Sequence, residues 1–198
     1  FFGFLINRLK KSKRISQIVV ACSKNKKDRK IINLCNKLNI SSFQGSEYNV
    51  LDRFYKTAKK FKADIIVRIT SDCPFTDPKL IDAFLKIYLK SKFDYYSNIH
   101  PRSFPDGLDI EIFDFKTLEI SKKKCHSSYD LEHVTPFMIK SKNIKKGNFN
   151  LKRNFSKLRI TLDSSEDLIN IRQIAKKIDP KKYFSWKKIL PKLKKLDL

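Results

Sequence analysis

Residues 64–74 read DIIVRITSDCP, and this stretch is the strongest indicator of the fold. Its first seven residues are rich in β-branched side chains and predict a buried strand. Pro74 cannot continue a strand ladder, so the strand ends before it. Asp72 therefore follows the carboxyl end of a buried strand, where open α/β sheets bind their ligands.

The segments on the amino-terminal side alternate between strands and helices. The predicted strands lie at 17–22 and near 41–43, and the predicted helices at 28–38 and 48–61. Residues 44–46 predict a turn. Asp77 and Pro78 are a good N-cap and a good first helical residue, so a further helix is predicted to about Lys90. The order β-α-β-α-β-α predicts parallel strands covered by helices.

The rest of the chain continues as a mixture of both elements. Strands are predicted at 94–98, 109–115, 147–152 and 158–162, and helices at 116–124, 129–140, 165–177 and, rich in Lys, at the end of the chain. The carboxyl ends of the buried strands mark three places for a ligand, at residues 21–23, 70–74 and 163–165.

The net charge is high, but its composition argues against a specific nucleic-acid partner. The 198 residues include 44 Lys and Arg against 20 Asp and Glu, a formal net charge of +24. Of these cations 35 are Lys and only 9 are Arg, although Arg reads bases and phosphates best. Abundant Lys, Ile, Asn and Phe is also typical of A·T-rich codons, so solvated helix faces account for much of the charge. The positive field still favours an anionic substrate.

Membrane insertion and secretion are not indicated. No apolar run approaches the roughly 20 residues of a membrane-spanning helix, and the first residues lack the layout of a secretory signal. The four cysteines form no C-x-x-C pair, which argues against a zinc site and a disulfide framework. We therefore expect reduced thiols and a cytoplasmic location.

Two carboxylates at strand ends are candidate metal ligands. Asp72 follows the strand at 64–70, and Asp163 follows the strand at 158–162 and precedes a helix. Mg²⁺ in proteins takes one or two carboxylates together with water and substrate phosphates. For Asp72, an interpretation as a turn residue fits equally well. For Asp163 the structural interpretation is the stronger one: Asp163 or Ser164 as a helix N-cap, with Glu166 and Asp167 in the first turn.

Two further pairs of polar residues stand out. Asp109 and Glu111 alternate with apolar residues, so both are predicted on one face of a strand, towards either a polar pocket or solvent. Glu132 and His133 are either an acid–base pair or a structural pair before Pro136. The sequence contains no G-x-x-x-x-G-K-[ST] loop, no G-x-G-x-x-G motif and no supported nucleophile triad.

Seven segments in order resemble the cytidylyltransferase family typified by spore coat polysaccharide biosynthesis protein F, a relative of the CMP-3-deoxy-manno-octulosonate (CMP-KDO) synthetases. They span residues 18–168 and read IVVACS (18–23), GSEYNVLDRFY (45–55), VRITSDCP (67–74), YSN (96–98), FPDGLDIEIF (104–113), EHVTP (132–136) and RITLDSSEDL (159–168). Each segment alone is a weak match, whereas seven in order are specific.

The resemblance implies a Rossmann-like α/β/α sandwich of the nucleotide-diphospho-sugar transferase type with a mixed sheet. It also implies transfer of a cytidylyl group from CTP to a sugar, often an acidic one, with release of pyrophosphate, for surface polysaccharide or glycan biosynthesis. By position, Asp72 and Asp163 match metal carboxylates for Mg²⁺ and are the expected catalytic residues. The expected nucleotide-binding residues are Ala21, Ser23, Gly45, Ser46 and Arg53, and the expected substrate-binding residues are Asp109, Glu111, Glu132 and His133.

The resemblance carries one departure from the family. Members open with a strand and a glycine- and arginine-rich triphosphate loop, whereas residues 1–10 resemble the helix after that loop. We therefore expect residues 1–198 to be a single nucleotidyltransferase domain, truncated at the N-terminus and nearly inactive alone. The stretch from Asp94 to Lys157 is a candidate homodimer contact.

Three alternative functions remain at this point. A metal-dependent glycosyltransferase of related fold also uses acidic strand ends, and would release nucleotide from a nucleotide-sugar. A non-catalytic remnant of the family would turn over neither substrate. A basic nucleic-acid-binding module would bind polynucleotides with a steep salt dependence.

Overall fold

Six strands form two hydrogen-bonded sheets in the part of the chain that the structure, a computed structural model, describes: residues 1–179 and 182–195. The strands are β1 (Val19–Ser23), β2 (Ser41–Gly45), β3 (Ile65–Arg68), β4 (Tyr95–Ser97), β5 (Glu111–Asp114) and β6 (Lys146–Asn148). β1 and β2 are parallel. The second sheet has the order β3-β5-β4-β6 and is mixed, because β4 and β6 are parallel and the other pairs are antiparallel.

The helices lie between and after these strands. They are α1 (Phe2–Leu9), α2 (Arg29–Lys37), α3 (Val50–Lys60), α4 (Pro78–Lys90), α5 (Phe115–Lys124), α6 (Ser128–His133), α7 (Pro136–Lys140), α8 (Ser165–Lys176) and α9 (Leu190–Lys195), with 3₁₀ turns at Lys26–Asp28 and Trp186–Lys188.

Alternating side chains of the second sheet separate two hydrophobic clusters. Tyr95 and Phe113 pack into a cluster with residues of α3, α5 and α7, whereas their neighbours Tyr96 and Ile112 pack into a cluster with residues of α1, α4 and α8. Successive strand residues point to opposite faces, so the helices cover both faces of the sheet. The predicted α/β/α sandwich with a mixed sheet is confirmed.

Most predicted elements are present, and their boundaries have local causes. Asp77 caps α4 as predicted, because its side chain accepts a hydrogen bond from the Lys79 N–H over 3.0 Å. Asn49 caps α3 in the same way through the Asp52 N–H over 2.8 Å.

Two strand predictions are wrong. Residues 158–162 form only an isolated parallel bridge, between Asp106 and Arg159, because their other backbone groups bond to loops. The parallel pairing expected from the alternating order holds for β1 and β2 but not for β3, which pairs antiparallel with β5. The alternation of elements does not reveal that a later strand returns beside β3.

Two local predictions also need correction. Gln44 and Gly45 belong to β2 rather than to a turn. The helix predicted at 129–140 is divided into α6 and α7 at Val134, whose φ is 70°. Val134 leaves the helical conformation and ends α6, and Pro136 then begins α7, a position that suits proline.

Contacts with the C-terminal segment fix the loop that follows Asp72. Arg8 is buried and donates to the carbonyl oxygens of Phe75, Thr76 and Phe184 at 3.2, 3.0 and 3.4 Å. Burial lowers the pKa of Arg8 to about 10, partly offset by Asp77. The loop that carries Asp72 is therefore held between α1 and residues near the C-terminus.

Two expectations about the whole chain are addressed in part. Among the described residues, no helix is both long enough and apolar enough to cross a membrane. All four cysteines are free thiols. The single truncated domain, the homodimer contact and the cytoplasmic location stay predictions.

Candidate active site

The first part of the candidate site lies at the carboxyl ends of β1 and β2. Ser23 and Gly45 are register partners there, and the Lys24 N–H donates to the Gly45 carbonyl oxygen over 3.0 Å. Ser23 is buried, and Ala21 is partly buried two residues earlier on β1. The two strands are parallel, so two of the predicted nucleotide-binding segments meet at one edge.

Arg53 reaches the same edge from α3 because Gly45 has no side chain. A Cβ on Gly45 would lie 2.8 Å from Arg53 Cγ, closer than such contacts occur. Arg53 Nη1 donates to the Ser46 carbonyl oxygen over 2.7 Å, whereas the buried Nε has no partner among the described residues. One N–H of Arg53 is therefore available to an acceptor from outside the described protein. We call Ser23, Gly45, Ser46 and Arg53 the strand-end cradle.

The electrostatics of Arg53 favour an anionic neighbour. Burial lowers the pKa of Arg53, and negative charge at Cys22, Asp28 and Glu47 offsets part of this effect. The pKa is lowered because burial removes water from a cation. A further hydrogen-bond acceptor or negative charge beside the guanidinium would therefore stabilise the cation and raise the pKa again.

Three residues beside the cradle were not identified from the sequence. Asp28 Oδ2 accepts from the Ser23 N–H over 2.9 Å, and Ser23 Oγ accepts from the Asn25 N–H over 3.0 Å. Asn25 Nδ2 donates to Glu47 Oε2 over 3.1 Å, which links the loops after β1 and β2. Asn and Asp directly after a strand are a recognisable turn signal, but the pairing across the two loops has no signal in the sequence.

The structure brings the two predicted metal carboxylates to adjacent segments. The Leu162 N–H donates to the Asp72 carbonyl oxygen over 2.8 Å, and Asp163 is the next residue. The Asp72 side chain is partly buried and has no cation within ion-pair distance among the described residues. Residues that are 91 positions apart thus lie side by side.

Asp163 differs from Asp72 because it has a cationic partner. Arg159 Nη2 donates to Asp163 Oδ2, and Arg159 Nη1 donates to Asp167 Oδ1. These bonds raise the pKa of Arg159, the one with Asp167 most strongly. The Asp163 side chain is 54% exposed.

The predicted helix cap at this position is confirmed for Ser164 and Asp167. Ser164 Oγ accepts from the Asp167 N–H over 3.1 Å, and Asp167 Oδ2 accepts from the N–H groups of Asp163 and Ser164, both over 2.9 Å. Burial alone would raise the pKa of Asp167, but these N–H donors and Arg159 lower it to about 2. The cap uses the backbone of Asp163 and leaves its carboxylate outside.

Two more acidic residues converge near Asp72. Arg102 forms a two-pronged ion pair with Asp109, with Nη2 to Oδ2 at 2.8 Å, and lies 3.2 Å from Asp106. Burial raises the pKa of the Cys73 thiol, and the negative charges of Asp72, Asp109 and Asp106 raise it further. Burial likewise raises the pKa of Asp109, although Arg102 opposes this. We call Asp72, Asp106, Asp109 and Asp163 the acidic centre; Arg102 and Asp106 were not identified from the sequence.

A single extended segment joins the parts of the acidic centre. The Ile160 N–H donates to the Asp106 carbonyl oxygen and the Leu162 N–H to that of Asp72, each over 2.8 Å. Alternate N–H groups of an extended chain point the same way, so Asp106 and Asp72 lie along one edge of residues 158–162. Gly107 makes this approach possible: its φ is 101°, and a Cβ there would lie 2.8 Å from the Ile160 carbonyl carbon.

Asp109 and Glu111 do not share a strand face as predicted. β5 begins at Glu111, and Asp109 lies before it. Glu111 is buried, and it accepts from Arg68 and from the Tyr95 hydroxyl, the latter over 2.7 Å. Burial and the Glu111 carboxylate raise the pKa of Tyr95. The substrate-binding role of Glu111 stays a prediction.

Glu132 and His133 lie at the end of α6 and are exposed. The His133 ring packs at a tilt against Tyr129, with the ring centroids 4.5 Å apart. No hydrogen bond or ion pair within residues 1–179 and 182–195 joins either residue to the acidic centre, so their role also stays a prediction.

The described residues contain no group of three or more His, Cys, Asp or Glu side chains placed to hold a metal ion together. A divalent cation at the acidic centre would therefore depend on one or two carboxylates. This is the donor set that Mg²⁺ uses when water and phosphate oxygens complete its coordination.

Comparison with solved structures identifies the fold class. The chain is similar to a cytidylyltransferase from Leptospira borgpetersenii serovar Hardjo-bovis, with a TM-score of 0.93 and 30% identity over 99% of this chain and 83% of that one. It is also similar in fold to a CMP-2-keto-3-deoxy-manno-octonic acid synthetase solved with CTP (TM-score 0.67, 11% identity, 89% and 88% of the chains). A third is the Mycobacterium tuberculosis protein Rv0371C, solved with manganese (TM-score 0.59, 8% identity, 87% and 85%).

Sequence comparison identifies the family. The profile of the cytidylyltransferases matches residues 2–194, so the chain belongs to the cytidylyltransferase family. The uncharacterized protein MJ1063 of Methanocaldococcus jannaschii is 39% identical over 178 residues, 88% of this chain and 72% of that protein. The spore coat polysaccharide biosynthesis protein SpsF of Bacillus subtilis is 29% identical over 181 residues, 87% and 74%. The predicted family is confirmed.

Proposed function

We propose that this protein transfers a cytidylyl group from CTP to a hydroxyl group of a sugar and releases pyrophosphate. The observation that carries this proposal is the adjacency of the two candidate metal carboxylates, Asp72 and Asp163. The strand-end cradle and Asp72 both follow the carboxyl ends of strands, and Asp163 adjoins Asp72 through Leu162. The similarity to SpsF, a spore coat polysaccharide biosynthesis protein, supports a sugar as the acceptor.

The strand-end cradle would hold the nucleotide. Ser23, Ser46 and the backbone of Gly45 offer hydrogen-bonding groups at one edge, and Ala21 lies two residues before Ser23 on β1. The Arg53 Nε has no partner among the described residues and would donate to an acceptor on CTP. A guanidinium also suits the negative charge of a nucleoside triphosphate.

Asp72 and Asp163 would hold Mg²⁺, and their chemistry fits this ion. Both side chains are carboxylates, Asp72 lacks a cationic partner among the described residues, and Asp163 is accessible. When bound, Mg²⁺ neutralises charge on the reacting phosphates and orients them. The manganese in the Rv0371C structure is consistent with a divalent cation in this fold.

The acceptor sugar would lie on the side of Asp109. Asp109 is partly buried; burial raises its pKa, and the ion pair with Arg102 opposes this effect. In the reaction, the oxygen of the acceptor hydroxyl bonds to the α-phosphorus and loses its proton to water, the bond from this phosphorus to the bridging oxygen breaks, and pyrophosphate leaves. The protein positions both reactants, so no nucleophilic side chain is needed.

Glu111, Glu132 and His133 would contact the acceptor less directly. Glu111 is held by Arg68 and Tyr95, so it would shape the pocket rather than move. Glu132 and His133 are exposed on α6 and would reach only a large acceptor or one that bridges two subunits of a homodimer.

The test is pyrophosphate release by the protein expressed from its complete gene, with CTP, Mg²⁺ and a panel of sugars. Asp72→Asn should lower turnover about a thousandfold, because it removes a carboxylate that holds the metal. The control is Glu166→Gln, which removes an equal charge from an exposed residue close to Asp163. Unchanged turnover by Asp72→Asn would contradict the proposal, as would nucleotide release from a nucleotide-sugar in place of pyrophosphate release from CTP.

A further inference from the structure

Arg159 forms an ion pair with Asp163, one of the two carboxylates that the proposed function assigns to the metal. Its guanidinium bonds to Asp163 Oδ2 through Nη2 and to Asp167 Oδ1 through Nη1. Asp72 has no such partner among the described residues. The two candidate metal carboxylates therefore differ among the described residues: Asp72 has no cationic partner, whereas Asp163 is paired with Arg159.

We propose that Arg159 is a latch on the metal site: it neutralises Asp163 in the nucleotide-free protein and releases it when a divalent cation arrives together with the triphosphate. The proposal rests on the proposed function, because it requires Asp163 to be a metal ligand. Its consequence is selectivity for the metal–nucleotide complex over the free ion.

The structure allows Arg159 to release Asp163 without losing its place. Its backbone is fixed by the bridge to Asp106. Asp167, its second partner, is held in turn by the N–H groups of Asp163 and Ser164 over 2.9 Å. The guanidinium can therefore stay on Asp167 while Asp163 turns away.

Breaking the ion pair between Arg159 and Asp163 should cost little free energy, because both side chains are exposed to solvent. The side chains of Arg159 and Asp163 are 43% and 54% exposed. Ion pairs with this exposure contribute little to stability and are screened by salt. A metal ion can therefore displace Arg159 from the Asp163 carboxylate, although part of its binding free energy is lost.

This loss of binding free energy arises from repulsion between the Arg159 guanidinium and the metal ion. A guanidinium about 6 Å from a divalent cation in water repels it enough to weaken binding about tenfold before salt screening. A triphosphate brings several negative charges to the same place and removes this repulsion. The latch should therefore weaken binding of the free ion and have little effect when nucleotide is present.

The experiment is a titration of nucleotide-free protein with Mn²⁺, followed by electron paramagnetic resonance of the unbound ion. Arg159→Gln should bind Mn²⁺ about three- to tenfold more tightly than the wild type. Arg159→Lys keeps the positive charge and should restore weak binding. Lys157→Gln is the matched control: it removes the same charge from an exposed residue two positions away, and Mn²⁺ affinity should barely change.

Three results would overturn the latch. They are unchanged or weaker Mn²⁺ binding by Arg159→Gln with a normal unfolding temperature, an equal gain in Lys157→Gln, and no Mn²⁺ binding by either wild type or Arg159→Gln. With CTP added, the difference between wild type and Arg159→Gln should shrink. Pyrophosphate release at saturating Mg²⁺ tests the proposed function separately, so the two can fail independently.

Discussion

The strand-end cradle and the acidic centre are built over different distances in the chain. The cradle joins residues 23–53, through the register of two adjacent parallel strands and the first turns of α3. The acidic centre joins residues 72–163, through a loop, an extended segment and the N-terminus of α8. The cradle therefore depends on local strand pairing, whereas the acidic centre depends on how distant segments pack. Substitutions at matched positions in the two regions should therefore differ in their effects on stability and binding.

The largest effect is expected from Gly107→Ala in the acidic centre. Its positive φ disfavours any side chain, and the added Cβ would meet the backbone of Ile160, which cannot move as a side chain tip can. We expect the free energy of unfolding to fall by about 3 kcal/mol, measured by urea denaturation. Mn²⁺ binding should weaken as well, because the segment displaced at Ile160 also carries the Leu162 N–H, whose bond to Asp72 places Asp163 beside it.

The matched substitution in the cradle is Gly45→Ala, which should cost less, about 2 kcal/mol, because the added Cβ meets Cβ and Cγ of Arg53 but no positive φ has to be maintained. Gly3→Ala in α1, where the Cβ makes an ordinary contact, is the control and should not destabilise. Equal losses at Gly45 and Gly107 would contradict the difference between the two regions.

A smaller effect, confined to the cradle, is expected from Arg53→Met. The substitution keeps much of the apolar packing on Gly45 and removes the guanidinium. We expect the Kd for CTP to rise about tenfold, as for loss of one charge-assisted hydrogen bond, with no change in Mn²⁺ binding. Isothermal titration calorimetry measures the first and electron paramagnetic resonance the second.

The control is Lys56→Met, which removes a cation from the exposed face of the same helix. If Lys56→Met weakened CTP binding as much as Arg53→Met, the effect would come from net charge and not from the cradle.

The smallest effect concerns the cap that supports Asp163, and it depends on pH. The pKa of Asp167 is lowered from 3.8 to about 2 in the folded protein, so its stabilisation is present above pH 4 and is lost as the pH falls towards 2. At pH 7, Asp167→Asn should lower Tm by about 3 °C.

The Tm difference between wild type and Asp167→Asn should therefore narrow below pH 4. Glu166→Gln, which changes an exposed carboxylate in the same helical turn, should show no such narrowing. A Tm difference that stays constant from pH 7 to pH 2.5 would contradict the lowered pKa.

The strand ends near Ser23 and Asp72 could be predicted from the sequence better than the contacts within the acidic centre, for a physical reason. Strand ends at Ser23 and Asp72 follow from apolar runs and punctuating residues, which act over a few positions. The ion pair of Arg102 with Asp109 and the bond from Leu162 to Asp72 depend on tertiary packing, and no periodicity encodes them. The absence of a strand at residues 158–162 has the same origin, because its N–H groups bond to loops.

The family resemblance predicted part of what sequence periodicity alone could not predict. It placed Asp72 and Asp163 in one site before any contact between their segments was visible, although spacing alone also allowed a turn residue and a helix cap. The cap interpretation was correct for Ser164 and Asp167, and it proved compatible with a separate role for the Asp163 carboxylate.

The most direct test of the central claim is the anomalous scattering of Mn²⁺ in a crystal of the protein from its complete gene, grown with CTP. We expect one strong peak about 2.2 Å from carboxylate oxygens of both Asp72 and Asp163, with CTP at the strand-end cradle. A peak held by Asp106 and Asp109 instead, or CTP bound away from Ser23 and Arg53, would contradict it.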